Sequence, residues 1–169
     1  MEAVGEAKEN ARPDFEVALK SDEKLELRLW LRLLTCANII EAEVRRRLRQ
    51  EFDTTLPRFD VLAQLDRNVL GLTMGELSGR LMVSNGNITG LIDRLVTEGL
   101  VARANRPEDR RTVRVTLTDK GRESFRRMTP EHAGWIDGLL AGLDRQDKTT
   151  LYELLAKLKA STAEARRED

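Results

Sequence analysis

The spacing of apolar residues changes twice along the chain, and this change limits the possible fold more than any other feature. Up to residue 98 the apolar residues recur at three- and four-residue spacings, which is the period of an amphipathic helix. Between residues 100 and 117 the period is two, as in a half-buried strand, and after Thr118 it is helical again. The pattern predicts a mainly α fold that contains one small β-hairpin.

A single long helix is predicted from about residue 22 to residue 51. One apolar stripe runs from Leu25 to Leu48, and a second stripe begins at Leu27 and runs beside it. Such a helix is roughly 45 Å long, which is more than a small core needs. We therefore expect one stripe to pack in the chain's own core and the other to pack against a second subunit.

Two short helices joined by a tight connector are predicted in the middle of the chain. Thr73 and Glu76 form a T-x-x-E capping box, so the first of these helices should begin at about residue 74. Ser84 is a suitable N-cap for the second helix, and Gly99 is a suitable residue for ending it. This arrangement is a helix-turn-helix.

The alternating segment reads as a hairpin with a basic tip. Strands are predicted at 100–104 and 112–117, and the connecting sequence NRPEDRR combines turn-forming residues with three arginines. A hairpin that directly follows a helix-turn-helix makes a winged-helix unit. In such a unit the second helix fits the major groove of DNA, and basic side chains of the hairpin reach the adjacent minor groove.

The second helix of this unit, SNGNITGLIDRL, carries two glycines in its first two turns. Each of Gly86 and Gly90 costs a helix about 1 kcal/mol relative to alanine. We expect the glycines to allow close approach of DNA or of a packed neighbouring helix. The small polar residues around them can bind phosphates or read base edges. The alternative is a poorly optimised surface helix with a serine cap.

Charge and composition narrow the class of protein. The net charge is zero, but from Arg80 to Arg127 there are eleven Lys and Arg against six Asp and Glu, which points to an anionic partner. Cys36 is the only cysteine, there is one histidine, and no apolar run approaches the roughly 20 residues of a membrane span. We expect a cytoplasmic protein that is not an enzyme and that uses no metal and no cofactor.

The segment TMGELSGRLMVSNGNITGLIDRLVTEGLVARANRPEDRRTVRVTLTDKG resembles the winged-helix core of the MarR family of transcriptional regulators. The most specific part is RPEDRRTVRVTLTDKG, with its D-x-R pattern at Asp109 and Arg111. The resemblance implies a winged helix-turn-helix core flanked by long dimerisation helices. It also implies a homodimeric, ligand-responsive protein that binds a pseudo-palindromic operator in double-stranded DNA, most often as a repressor.

The polar composition of both ends, the apolar spacing and the resemblance together give the expected boundaries along the chain. A single MarR-type domain is expected over residues 21–163, between a flexible arm at 1–20 and a frayed tail at 164–169. Within the domain, the winged helix-turn-helix spans about 55–120, and the dimerisation helices span about 22–51 and 118–163.

Carried over by position, the resemblance predicts a set of DNA contacts. Arg94 is expected on the phosphate backbone, although an ion pair with Glu98 on the same helix is an alternative. Arg111 is expected in the minor groove, where a charge-assisted pair with Asp109 orients it, while Arg110 can touch phosphates. The residues expected in the major groove are Ser84, Asn85, Asn87, Ile88 and Thr89.

The family's effector pocket usually lies between the dimerisation helices and the winged-helix core. Here it would involve Trp30, Leu33, Arg58 and His132, with a small aromatic carboxylate or its CoA thioester as the effector. The alternatives are that Trp30 is a core residue and that His132 is solvated beside Pro130.

Two other functions stay open at this point. The first is redox sensing through Cys36. The alternative interpretation is that Cys36 is an inert thiol in the protein core. The second is a winged helix that binds other proteins, although such domains tend to lose the basic tip that Arg106, Arg110 and Arg111 form here.

Overall fold

The computed structural model describes residues 25–81, 85–106, 109–165 and 167, and the chain divides into two compact units at Asp53 and Thr54. The described fold is mainly helical with one small sheet, which confirms the predicted fold class. The elements in chain order are α1 (Leu25–Phe52), α2 (Leu56–Asp66), β1 (Leu72–Thr73), α3 (Met74–Leu81), α4 (Asn85–Thr97), β2 (Val101–Arg106), β3 (Asp109–Leu117), α5 (Asp119–Leu139) and α6 (Arg145–Ala165).

The first unit contains the long helix α1, whose C-terminal half is supported by ion pairs along its own surface. Glu43 accepts from Arg46 and Arg47 at 2.6 Å each, and Arg45 pairs with Glu41 one turn away. The hydrogen bonds from Arg46 and Arg47 lower the pKa of Glu43 to about 2. Pairs at these spacings favour a helix even without tertiary contacts.

Most of the apolar residues of α1 are exposed. Val44 and Leu48 are buried, whereas Leu33 is only partly covered. Cys36 is exposed, so the expectation of a core thiol was wrong. Trp30 is 55% exposed, which also excludes the core position considered for it within this chain. The exposed large apolar residues of α1 are Leu25, Leu27, Leu29, Trp30, Leu34 and Ile39.

In the second unit, the helix-turn-helix begins and ends where its sequence signals predict. The Thr73 amide donates to the Glu76 carboxylate at 2.7 Å, and the Glu76 amide donates back to the Thr73 hydroxyl at 3.2 Å. At the end of α4, Gly99 has φ +72° and its amide donates to the Val96 carbonyl, while the Leu100 amide donates to the Leu95 carbonyl. These two bonds make a Schellman motif, so Gly99 ends the helix as expected.

The sheet has three antiparallel strands in the order β1-β3-β2, one more than the sequence predicted. The predicted hairpin is present and longer than expected, with Val101 opposite Leu117 and Ala104 opposite Arg114. The extra strand β1 pairs Leu72 with Val115. Because β1 has only two residues, it leaves no alternating pattern that could be recognised in the sequence.

The core of the second unit lies between α2, the helix-turn-helix and the sheet. It is aliphatic, as the low aromatic content suggests, and its fully buried members include Leu62, Leu65, Leu77, Ile88, Ile92, Leu95, Val101 and Val115. Thr118 accepts from the Gly121 amide at 3.0 Å and so caps α5 as predicted. A Cβ at Gly121 would lie 1.9 Å from the Leu100 carbonyl oxygen, so this close approach of α5 to the base of the hairpin requires glycine.

The last two helices differ in how much of their surface is covered. α5 continues through Pro130, which therefore does not interrupt it, and buries Met128 and Trp135. Asp144 accepts from the Asp147 amide at 2.8 Å and caps α6. No residue of α6 is buried in the described chain, although it carries Leu151, Tyr152, Leu154, Leu155 and Leu158.

Candidate nucleic-acid interface

Helix α4 has one buried apolar side and one exposed side that carries small and polar residues. Ile92 and Leu95 are fully buried, whereas Asn87 and Thr89 are exposed at the N-terminal end. Ile88 is also 0% exposed, so its side chain belongs to the core, and the expectation that it contacts bases was wrong. The apolar side fixes the helix on the protein and leaves its polar N-terminal edge facing outward.

The two glycines of α4 lie on this exposed side with open space around them. A Cβ at Gly86 or Gly90 would meet no heavy atom within 4 Å. No neighbouring helix in the described part of the chain therefore requires these glycines. Clearance for an approaching DNA backbone stays a prediction.

Arg94 is exposed on α4, and among the described residues it makes no ion pair. Glu98, the alternative partner considered for Arg94, binds Arg58 in the described structure. The preceding residue, Asp93, binds Arg103 of β2 at 2.7 Å. This pair joins α4 to the first strand of the hairpin, and its members are too far apart in sequence to be matched by local spacing.

The remaining predicted DNA contacts can be placed only in part. Ser84 lies outside the described residues, and the side chain of Asn85, the first residue of α4, also lies outside them. Strand β3 begins with Asp109, Arg110 and Arg111. The structure does not describe the side chains of these three residues. Their roles stay predictions that rest on the family resemblance.

The hairpin is tied to the start of α3 by Arg114 on β3. Its guanidinium donates to the Gly71 carbonyl at 2.9 Å and lies 3.4 Å from the Glu76 carboxylate. Hydrogen bonds from Thr73 and the nearby charge of Arg114 lower the pKa of Glu76. The capping box therefore connects α3, β1 and the hairpin, so that the two parts of the winged-helix unit are held together.

The C-terminal end of α4 is held by side chains from two other helices. Arg58 on α2 forms a bidentate ion pair with Glu98, in which Nη1 donates to Oε1 at 2.8 Å and Nη2 donates to Oε2. Lys120 on α5 donates to the Glu98 backbone carbonyl at 2.8 Å. Arg58 is thus already neutralised by an acid of its own chain, which the sequence did not reveal.

His132 lies in an aromatic cluster and is not the solvated histidine considered as an alternative. Its ring stacks on Phe59 with centroids 4.7 Å apart and meets the edge of Trp135 at 6.2 Å. Burial lowers the pKa of His132, so the ring is neutral at pH 7. The contact with Phe59 places His132 of α5 against α2, whereas Arg58 of α2 binds Glu98 beyond the end of α4. Trp30 and Leu33 belong to α1 in the other unit, and an effector pocket stays a prediction.

Neither a membrane-spanning helix nor a cluster of metal-binding side chains is found in the part of the chain that the structure describes. None of its helices is long and apolar enough to cross a membrane. Its histidine, cysteine and acidic side chains form no group of three or more that could hold a metal ion. The exposed polar edge of α4 beside a hairpin thus remains the most specific feature.

The fold and this edge define a winged helix-turn-helix DNA-binding protein. The family model described as MarR family matches residues 54–113, which cover the helix-turn-helix and most of the hairpin. BadR of Rhodopseudomonas palustris, a transcriptional activatory protein, is 36% identical over 141 residues that span 80% of each chain. The chain belongs to the MarR family of transcriptional regulators.

Solved structures of other proteins have the same fold. A MarR family regulator from Silicibacter pomeroyi is 35% identical and superposes with a TM-score of 0.72, over 85% of this chain and 99% of the other. BpsR of Bordetella bronchiseptica, whose DNA binding is regulated by 6-hydroxynicotinic acid, is 23% identical with a TM-score of 0.68. That match covers 78% of this chain and 98% of BpsR, and it is a likeness of fold.

Proposed function

We propose that the protein is a homodimeric repressor that binds a pseudo-palindromic operator and is released by a small aromatic acid or its thioester. The observation that carries the DNA-binding part is helix α4. Its buried apolar side fixes the helix on the core, and its N-terminal edge presents Asn87 and Thr89 outward beside two unhindered glycines. An edge of this kind fits the major groove, which is about 12 Å wide.

The proposal of a homodimer rests on the uncovered apolar residues of α1 and α6. A 21-residue helix that buries none of its side chains lacks the tertiary packing that normally stabilises helices in water. Leu154 is 56% exposed and Trp30 is 55% exposed. Several large apolar residues exposed on the same helices are typical of a protein–protein interface. Two-fold dimers are the commonest assembly, and a two-fold axis matches a pseudo-palindromic site.

The proposal of an aromatic acid as effector rests on the family and on one neighbour of the same fold. BpsR responds to 6-hydroxynicotinic acid, so the fold is compatible with control by an aromatic acid. In this chain the rings of Phe59 and His132 stack, and an aromatic surface of this kind is suited to the ring of an aromatic acid. Arg58 already binds the Glu98 carboxylate, so the carboxylate of an effector would compete with Glu98 for it.

Fluorescence anisotropy with DNA from upstream of the protein's own gene tests the DNA-binding proposal. We expect binding that is tighter than to scrambled DNA of the same length and that weakens steeply as salt is raised. Arg111→Ala should weaken binding to both DNAs and reduce the salt dependence, whereas Arg127→Ala on the exposed side of α5 should not. Equal binding to both DNAs at every salt concentration would contradict the proposal.

A transcription assay tests the direction of regulation separately. BadR is an activatory protein, so relatives of this chain do not all repress. With a reporter gene behind the bound DNA, we expect the protein to lower transcription and an aromatic acid to restore it. Higher transcription in the presence of the protein would replace the repressor by an activator.

A further inference from the structure

Arg58 and Glu98 form a pair whose orientation is unfavourable for both helices that carry it. Arg58 is the third residue of α2, so a positive charge lies at the positive end of a helix dipole. Glu98 directly follows the last residue of α4, so a negative charge lies at the negative end of another. Each of the two charges thus lies at the helix end where it is unfavourable. This indicates that the pair has a role other than stabilising the two helices.

The Arg58 side of the pair is more buried than the Glu98 side. The Arg58 side chain is 22% exposed, and its buried Nε atom has no hydrogen-bond partner among the described residues. Glu98 is therefore the group that neutralises a largely buried guanidinium through both of its Nη atoms. Lys120 of α5 donates to the backbone carbonyl of Glu98. Side chains from α2 and α5 therefore both bind the C-terminal end of α4 at Glu98.

From these contacts we infer that Arg58 is a positioning residue for DNA recognition, which acts through Glu98 on the direction of α4. This role rests on the proposed DNA-binding function. The anchored end of α4 is opposite to its polar N-terminal edge, and thirteen residues separate them by about 20 Å. A tilt of about 10° at the anchor would move the N-terminal edge by about 3 Å, whereas binding sites need positions held to about 0.5 Å.

Whether Glu98→Gln raises or lowers the affinity for DNA distinguishes a positioning role from a purely electrostatic one. Glu98→Gln removes a negative charge, and a less negative protein should bind DNA more tightly if charge alone mattered. If Glu98 orients α4 through Arg58, the same variant should bind its operator roughly tenfold more weakly, a loss comparable to that of one mismatched base pair. Glu123→Gln removes an equal charge from the exposed side of α5 and serves as the matched control.

The experiment measures binding to operator and scrambled DNA for the wild type, Glu98→Gln, Arg58→Met, their double variant and Glu123→Gln. We expect each single variant to bind the operator roughly tenfold more weakly, the double variant to bind no more weakly than either, and the control to match the wild type. Amide hydrogen exchange of the free proteins should be faster in α4 of the single variants, with α6 unchanged.

A variant with the charges exchanged, Arg58→Glu with Glu98→Arg, tests the positioning role even if a single variant unfolds. It retains an ion pair between the same positions and puts each charge at the favourable end of its helix. We expect it to fold and to recover operator binding.

Glu98→Gln that binds the operator as tightly as the wild type, or a folded exchanged pair that does not bind it, would overturn the positioning role. A wild type that does not distinguish its operator from scrambled DNA would instead overturn the proposed function.

Discussion

Replacing Gly90 with alanine separates the stability of α4 from its fit to DNA. Gly90 lies inside the helix, where alanine is more favourable by about 1 kcal/mol. A Cβ at this position would meet no heavy atom within 4 Å, so no clash within the chain offsets the gain. For a protein of this size, a gain of about 1 kcal/mol raises the melting temperature by roughly 2–4 °C.

The same methyl group should weaken DNA binding if Gly90 provides clearance. It would project from the exposed side of α4 towards the DNA, and we expect operator affinity to fall roughly tenfold, the loss typical of one mismatched base pair. Calorimetry gives the melting temperature, and fluorescence anisotropy gives the affinity.

Gly134→Ala is the matched control for this experiment. Gly134 lies inside α5 and also has open space at its Cβ position, so its replacement should give a similar rise in melting temperature without loss of DNA binding. Gly90→Ala that is stabilised and binds the operator with unchanged affinity would refute the clearance argument.

Three further predictions concern packing, pH and assembly. Gly121→Ala should lower the free energy of unfolding by about 3 kcal/mol because its Cβ meets the Leu100 carbonyl at 1.9 Å; wild-type stability in urea unfolding would contradict this. Because burial lowers the pKa of His132 from its usual 6.5, the unfolded chain binds more protons, and stability should fall as pH drops below 6.5. His132→Phe should reduce the pH dependence of the urea midpoint between pH 7.5 and 5.5, and an unchanged dependence would exclude His132 as its source. If the proposed homodimer forms through α6, Leu154→Glu should be monomeric in light scattering where the wild type is dimeric, and a variant that stays fully dimeric would place the interface elsewhere.

Local signals in the sequence predicted the parts of the fold that depend on neighbouring residues. The capping box at Thr73 and Glu76, the cap at Thr118 and the helix end at Gly99 all form as expected. Each depends on side chains and backbone groups within a few residues, so its sequence is sufficient to indicate it. The burial of Ile92 and Leu95 follows from helical spacing for the same reason.

Contacts between distant residues account for what the sequence did not predict. Glu98 was weighed as a partner of Arg94, its neighbour on α4, yet it binds Arg58, which is 40 residues away. His132 packs on Phe59 because α2 and α5 meet, which no local pattern reports. Ile88 was assigned to DNA by family position although its helical spacing with Ile92 placed it inward.

A hydroxyl-radical footprint on the DNA upstream of the protein's own gene tests the central claim most directly. If a homodimer inserts one α4 helix into each of two successive major grooves, protection should appear as two segments related by two-fold symmetry. Their centres should be about 10 base pairs, one helical turn, apart. Protection spread evenly along the DNA, or none at concentrations that give binding in solution, would contradict the account.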